Sequence, residues 1–409
     1  MGGPELDEFE VKILALGGSG DMGQVAVKTM LKGLYVDQMI VADRDIDRAN
    51  HFVESLNDER VSARYIDVQD AEALEDLMTE VDLVMNTVGP FYRFGEPIVQ
   101  AAIKAGRSYV DINDDYGPTQ QVLELDEEAR KAEITILIGM GASPGITNIL
   151  ARHAADQLDE VDYIQTVWGY AGGVLRPAST IVKKSKRIAA EHRVEAAYEH
   201  FLYCASFKAP VFRDGKFVDV VPLEEGEEVT FPNGKGFFRY FGHGEPVTLP
   251  RFINKGIRGA CNLVGLTPEE LEVTRELAAK IRANELTPTQ AAATYAQEVY
   301  ARKQQRQEVL DMGPRVGGLH ASASGKKDGK KVRYGYGCLG EPPGGMGGVT
   351  SIPLAIGAQM LLEGEIDQPG VLAPEACIEP LPFFERYMTY WVNPPERVED
   401  ALYEVVEEL

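Results

Sequence analysis

Between Val11 and Gly141, short apolar, β-branched runs alternate with segments whose apolar residues recur every three or four positions. The runs are VKILALGG, QMIVADRD, SARYIDV, VDLVMNTVG, SYVDIND and ITILIGMG, separated by amphipathic stretches such as VAVKTMLKG and EPIVQAAIKAG. Strands apolar on both faces with helical segments between them predict an α/β fold, a doubly wound parallel sheet. After Gly145 the regularity changes. A helix through NILARHAADQL is followed by VDYIQTVWGYAGG, a long charged helix from Ser179 to Tyr203, and strand-like runs in APVFRDGKFVDVVPL, EEVTFP and GEPVTL. Strands grouped in this way predict a second, α+β domain with a mostly antiparallel or mixed sheet. Residues 266–310 read as helical, GKKDGKKVRYGYG as a hairpin, GEPPGGMGG as a hinge, and VTSIPLAIGAQMLLEGEI as a further helix.

Length and composition narrow the function classes. With 409 residues, 44% of them hydrophobic, the chain is long enough for two cores. A net charge of −23 argues against a nucleic-acid surface, which needs basic groups to displace counterions from phosphates. Cys204, Cys261, Cys338 and Cys377 are widely spaced with no CxxC pair, so neither a zinc site nor a disulfide framework is indicated and a reducing cytoplasm is expected. MGGPELDEFE has no features of an export signal, and no stretch reaches membrane-spanning length.

The chemistry-bearing motifs fall at the ends of the early strands. In GGSGDMG, Gly18, Gly20 and Gly23 have G-x-G-x-x-G spacing between a strand and a helix. Gly18 is expected at the tight turn, Gly20 beside a dinucleotide diphosphate, and Gly23 where helix and strand pack closely. Asp43 ends the second strand, placed for ribose hydroxyls, and favours NAD by repelling a 2′-phosphate, whereas Arg44 offers that phosphate a partner. NAD or NADP is the expected cofactor, NAD favoured. The candidate cofactor contacts are Gly18, Ser19, Gly20, Asp21, Met22, Gly23, Asp43, Arg44, Asp67, Val88, Gly89, Pro90 and Gly141. At GMGASPGITN, the sixth strand is expected to end at Gly141, Ser143 to cap a helix and Pro144 to occupy its first position, with open amides toward the reacting end of the cofactor and a polar substrate group. Asn113, Ser143 and Gly145 are the substrate-binding candidates. His192 and His200, eight residues apart on a helix, are expected on its surface, and the basic island Lys183, Lys184, Lys186 and Arg187 on a solvated face. His243, flanked by glycines, is a candidate acid or base.

Taken together, LALGGSGDMGQ, VADRDIDRA, NTVGPF, AGRSYVDIND, GMGASPGITN, GHGEPVTLPRF and AIGAQMLLEGEIDQPGVLAPEACIEPLPFF resemble the saccharopine dehydrogenase-like family, and within it lysine 6-dehydrogenases most. The resemblance implies a Rossmann domain over residues 9–143 and 346–409, interrupted by an α+β catalytic and dimerisation domain over residues 144–345, and a homodimer. It implies hydride transfer between nicotinamide and an amine-bearing carbon of an amino acid or polyamine adduct. A condensing reductase of the saccharopine or carboxynorspermidine type and a non-catalytic dinucleotide-binding protein are the alternatives. An ammonium must lose a proton before hydride leaves its carbon, and Asp114, His243 and Tyr92 are the candidate bases. No metal is expected. The sequence departs from the lysine dehydrogenase pattern between Arg176 and Phe207.

Overall fold

A computed structural model describes residues 10–33, 36–171, 196–305 and 316–409. Its first sheet is built from β1 (Lys12–Leu16), β2 (Gln38–Asp43), β3 (Val61–Tyr65), β4 (Leu83–Asn86), β5 (Ser108–Asp111) and β6 (Thr135–Leu137), joined late in the chain by β16 (Gly370–Leu372). The order is β16-β6-β5-β4-β1-β2-β3 and every pairing is parallel. Alternate residues of one strand enter opposite cores, as the pleat requires. Ile13 and Ala15 pack with Val27 and Met30 of helix Asp21–Met30 and with Ile352 and Ala355 of helix Met346–Leu362. Leu14 and Leu16 pack with Leu74 and Val99 on the other face. Both faces are thus covered, which is the doubly wound arrangement; each buried Val, Leu, Ile or Met side chain contributes roughly 1.5–3 kcal/mol. Local caps agree with the packing: Asp45 accepts from Arg48 N at 3.0 Å at the start of helix Ile46–Leu56.

The second sheet runs β10 (Gly226–Phe231), β11 (Gly234–Tyr240), β12 (Gly259–Gly265), β7 (Glu160–Ala171), β14 (His320–Lys327), β15 (Lys330–Cys338) and β17 (Leu402–Glu408). β8 (Ala209–Arg213) pairs with β12 and with β9 (Lys216–Val220), and β13 (Val316–Gly317) pairs with β7. Only β7 and β12 are parallel, so the sheet is mixed. It curls until Thr230 Oγ1 on β10 donates to Glu407 Oε1 on β17 at 3.0 Å. Helix Ile146–Asp156 links the halves: Ile149 and Leu150 share one core with Ile164, Ala321 and Tyr336 of this sheet, with Leu137 of β6 and with Met140 just beyond it.

Two expectations change, one is refined, and one falls largely outside the described residues. β6 stops at Leu137, not Gly141, because the next amides turn to β5: Gly139 N donates to the Asp111 carboxylate at 2.8 Å and Met140 N to its carbonyl at 2.7 Å. The helical stretch after Leu266 is two helices, Pro268–Arg282 and Pro288–Gln305, the second begun by Thr287 and Pro288. Of the long charged helix, Ala196–Ser206 is helical; Lys183, Lys184, Lys186, Arg187 and His192 lie outside the described residues. Finally, residues 346–409 do not stay together. Helix Met346–Leu362 and β16 join the first sheet, whereas β17 pairs with β15 in the second, where residues 402–408 complete the ladder.

Candidate functional site

β1 delivers the chain into Gly17, whose φ of +68° only glycine adopts freely, and Gly18 follows it in the tight turn that Gly20 N closes by donating to Gly17 O at 2.9 Å. A Cβ on Gly18 would sit 2.9 Å from Ala15 O, and one on Gly23 would sit 2.3 Å from Gly17 O, which requires glycine at both for close packing. Helix Asp21–Met30 starts at Gly20 with no side-chain cap, leaving its first-turn amides open toward the carboxyl edge of the sheet. A diphosphate suits that position, since amides and helix dipole both favour an anion. Ser19 Oγ donates to Asp43 Oδ2 at 2.5 Å, fixing the end of β2 against this loop, while Arg44 is exposed beside it. Asp67 follows β3 and accepts from Gln69 N at 3.0 Å; Thr87 Oγ1 donates to Leu16 O at 3.0 Å, which places Val88, Gly89 and Pro90 on the same rim. The residues present therefore fit a dinucleotide along this edge.

A buried row of hydrogen bonds stiffens the rim. Asn86 Nδ2 donates to Tyr109 OH at 2.8 Å and Tyr109 OH to Asp111 Oδ2 at 2.8 Å, while Asp111 Oδ1 also accepts from Asn113 N at 2.9 Å. Burial pushes the Asp111 carboxyl up to about 6, against the lowering effect of these donors. The loop after β5 then presents Asp114 and Asp115 to helix Ala196–Ser206.

That helix carries His200, expected on a surface, into the centre of the site at 9% exposure. Its face packs against the rim, because His200 Nδ1 lies 2.9 Å from Asp115 Oδ1 and Nε2 lies 3.0 Å from Asp114 Oδ2. Burial opposes a charge on His200, but the Asp114 and Asp115 carboxylates outweigh it and hold the ring well above the usual imidazole range. His243, between β11 and helix Glu245–Phe252, meets His200 Nε2 through its own Nε2 at 3.4 Å and stacks on Trp168 at 5.2 Å with planes 2° apart. Burial and the charge of His200 hold His243 well below its usual value, so it is neutral. The Cys204 thiol, 3.4 Å from Asp115 Oδ1, is pushed up to about 12 by burial and is not a nucleophile. Atoms of Asp114, His200 and His243 lie within 4.8 Å of one another, as do those of Asp115, His200 and Cys204. That spacing would admit a cation, but each His200 nitrogen already has a carboxylate oxygen at hydrogen-bond distance, and the two N–H protons of a charged imidazolium account for both contacts.

Glu245, which the sequence reading missed, is fully buried. Its Oε1 accepts from Ser143 Oγ at 2.5 Å, Thr147 Oγ1 at 3.0 Å and Asn262 Nδ2 at 2.9 Å, while Oε2 faces His243 Nδ1 at 3.9 Å. Burial pushes its carboxyl up to about 7 despite the Ser143 and Thr147 donors. The signal was present in GHGEP, where a carboxylate stands two residues from the selected histidine.

The GMGASPGITN turn differs from expectation. Gly145, not Ser143, caps helix Ile146–Asp156, and Pro144 lies outside it. Gly145 N donates to Asn148 Oδ1 at 3.0 Å, Ile146 N to Gly141 O at 3.0 Å and Thr147 N to Ala142 O at 3.2 Å, so these amides close the turn instead of facing a ligand. Gly145 has φ +123° and a Cβ there would lie 1.9 Å from Gly141 O, a structural demand. The side chains do the holding: Ser143 and Thr147 bind Glu245, and Asn148 Nδ2 binds Glu375 Oε2 at 2.8 Å. Asn113 is likewise used internally, its Oδ1 accepting from Asp115 N at 3.1 Å and its Nδ2 donating to Thr119 at 3.3 Å. Tyr92 OH donates to Glu199 at 2.7 Å, and burial with that carboxylate raises its pKa further, so Tyr92 is a donor and not a base at neutral pH.

Residues 13–137 match the saccharopine dehydrogenase NADP binding domain and residues 141–391 the saccharopine dehydrogenase C-terminal domain. The chain is 28% identical over 178 residues to carboxynorspermidine synthase of Vibrio cholerae, covering 38% of this chain and 42% of that one. It is 27% identical over 147 residues to the NADP(+), L-glutamate-forming saccharopine dehydrogenase of Schizosaccharomyces pombe, covering 34% and 30%. These matches span less than half the length of each relative. In fold it is similar to apo saccharopine dehydrogenase (L-Glu forming) from Saccharomyces cerevisiae, with a TM-score of 0.62 at 16% identity over 97% of this chain and all of that one. Homospermidine synthase from Legionella pneumophila in complex with NAD aligns with a TM-score of 0.58 at 12% identity, over 97% and 92%. No helix among the described residues is long and apolar enough to cross a membrane. With one family domain on the cofactor sheet and the other running through the curled sheet, the chain belongs to the saccharopine dehydrogenase family.

Proposed function

We propose that this protein moves hydride between a nicotinamide cofactor, NAD in preference to NADP, and an amine-bearing carbon of a basic or diamino acid, in the manner of a lysine 6-dehydrogenase. The observation that carries this reading is Glu245: a fully buried carboxyl, pushed up to about 7, bonded to Ser143 on the turn that leaves the cofactor domain. A proton acceptor works best when its pKa lies near the working pH. The cofactor supplies the hydride chemistry; the chain supplies position, exclusion of water and the proton acceptor. In this reading Gly18 to Gly23 hold the diphosphate, Asp43 the ribose, and Val88 to Pro90 the nicotinamide end, while Gly141, whose N donates to Pro144 O at 3.1 Å, serves the turn. Ser143, half-buried on the cleft wall, meets the substrate nitrogen and links it to Glu245, and His243, held neutral, stands behind Glu245. The working form is a homodimer in a reducing cytoplasm, where the four cysteines stay free.

The likeness to carboxynorspermidine synthase favours a second reading, a condensing reductase that joins an amine to a carbonyl and reduces the product. A screen of reduced-nicotinamide absorbance separates the two, run with NAD and NADP in both directions on basic amino acids, diamines and pairs of a carbonyl compound with an amine. Cofactor reduction by a diamino acid alone supports the first reading. Oxidation only when both a carbonyl and an amine are present supports the second, and cofactor binding without any turnover rejects both.

A further inference from the structure

Glu245 has no exposed surface, so a proton that reaches it needs a route out through the protein. The structure contains a row of facing polar atoms that begins and ends at solvent. Ser143, half-buried on the cleft wall, donates through Oγ to Glu245 Oε1. Glu245 Oε2 and His243 Nδ1 face each other at 3.9 Å, and neither atom has a hydrogen-bond partner. His243 Nε2 meets His200 Nε2 at 3.4 Å, and that nitrogen lies 3.0 Å from Asp114 Oδ2, on a side chain 31% exposed. The three inner members, Glu245, His243 and His200, are 0%, 4% and 9% exposed.

We propose that His243 and His200 form a two-imidazole relay carrying the reaction's proton between Glu245, at the closed end of the site, and Asp114, at its open end. The inference rests on the reading of Glu245 as proton acceptor. In the reductive direction, where a bound nicotinamide would supply the hydride to the imine carbon, the nitrogen takes one proton from the Ser143 hydroxyl, which recovers it from Glu245. Glu245 is reprotonated by the Nδ1 proton of His243 as that ring receives a proton at Nε2 from His200 Nε2. His200 recovers its proton from solvent through Asp114. In the oxidative direction the same hops run in reverse, and the proton lost by the ammonium leaves at Asp114. The gap of 3.9 Å between Glu245 and His243 closes by a small side-chain shift.

The surroundings fix the direction of each ring. Asp115 Oδ1 engages His200 Nδ1 at 2.9 Å, while Asp115 Oδ2 accepts from Tyr92 N at 2.7 Å, so His200 exchanges protons only through Nε2. Trp168 stacks on His243, and Thr147 and Asn262 hold Glu245 Oε1, leaving Oε2 for transfer. The charged and titratable groups facing the relay are Asp114, Asp115, Cys204, Glu245 and, behind it, Glu375. His200 is a positioning and transfer residue from the stretch in which the chain departs from the lysine 6-dehydrogenase pattern.

Two measurements on the full chain test this. Nitrogen NMR of protein labelled with 15N-histidine reads the protonation of each ring without turnover: His200 is expected charged and His243 neutral with its proton on Nδ1. Asp114→Asn and Glu245→Gln should each move the resonances of both rings. A response confined to the nearer ring, or a stoichiometric divalent metal on these nitrogens in the purified protein, overturns the relay. In kinetics, His200→Gln should lower kcat about 100-fold at unchanged KM, with partial rescue by added imidazole, and Asp114→Asn should do the same to a lesser degree. A wild-type kcat in both variants overturns it as well. Should the wild type turn over no amine, the functional reading fails, and the coupled or uncoupled histidine resonances still decide the relay.

Discussion

Ser143 and Glu245, 102 residues apart in the chain, are joined by a hydrogen bond of 2.5 Å that ties the exit of the cofactor domain to the first turn of helix Glu245–Phe252. This contact makes the turn after β6 a holder of a protein carboxylate. Ser143→Ala should therefore leave the fold intact, raise the Glu245 pKa by removing its shortest donor, and shift the alkaline-favoured limb of the oxidative rate to higher pH. A pH-rate profile of kcat/KM checks this; an unchanged profile in the folded variant would sever Ser143 from the acid-base chemistry.

Glu245 also links stability to pH. Its folded pKa is about 7 against an ordinary 4.5, so the native state binds more protons than the unfolded chain between those values. Stability from this group is complete below about 4.5 and lost as pH rises through about 7, by an amount on the order of 3 kcal/mol at most. Glu245→Gln should flatten that slope in urea titrations at several pH values while lowering kcat about 100-fold or more.

Asp43→Ala should weaken NADH binding relative to NADPH. The carboxylate is worth on the order of 1.5–3 kcal/mol to a ribose hydroxyl and opposes a phosphate there. Ser19, which donates to Asp43, should loosen with it. Fluorescence titration of both cofactors is the measurement, and a wild type that binds NADPH more tightly assigns the dominant role to Arg44.

Tyr92→Phe should change kcat by no more than a few fold, because the phenol donates to Glu199 and stays protonated at neutral pH. A loss of 100-fold in a folded variant would return Tyr92 to the acid-base chemistry.

Gly145→Ala should fail for structural reasons. The added Cβ would lie 1.9 Å from Gly141 O at a φ of +123°, so the variant is expected to lose several kcal/mol of stability, read as a fall in the urea midpoint, before any effect on ligands is felt.

The six early strands with their intervening helices and the glycine loop were legible because apolar runs and period-3.6 patterns report which face of an element is apolar, and GGSGDMG demands small residues at defined offsets. His243 could be picked out as a loop histidine, and Asp114 as a residue on the carboxyl rim. What periodicity does not report is the partner. His200 reads as one more position on a charged helix; only the docking of that helix brings it to His243, 43 positions away, and to Asp115, 85 away. The GMGASPGITN turn was visible as a turn, but whether its amides stay open or close on Asn148, Gly141 and Ala142 depends on how the chain folds back locally. Likewise the C-terminal strand found its place by completing the ladder of β15, a long-range pairing with no local signature. Sequence by itself determined the elements and the cofactor edge, because those follow from local sterics and side-chain alternation. The buried acid-base cluster was decided by tertiary packing, because burial and charge neighbours set its protonation and both exist only once the two sheets have met.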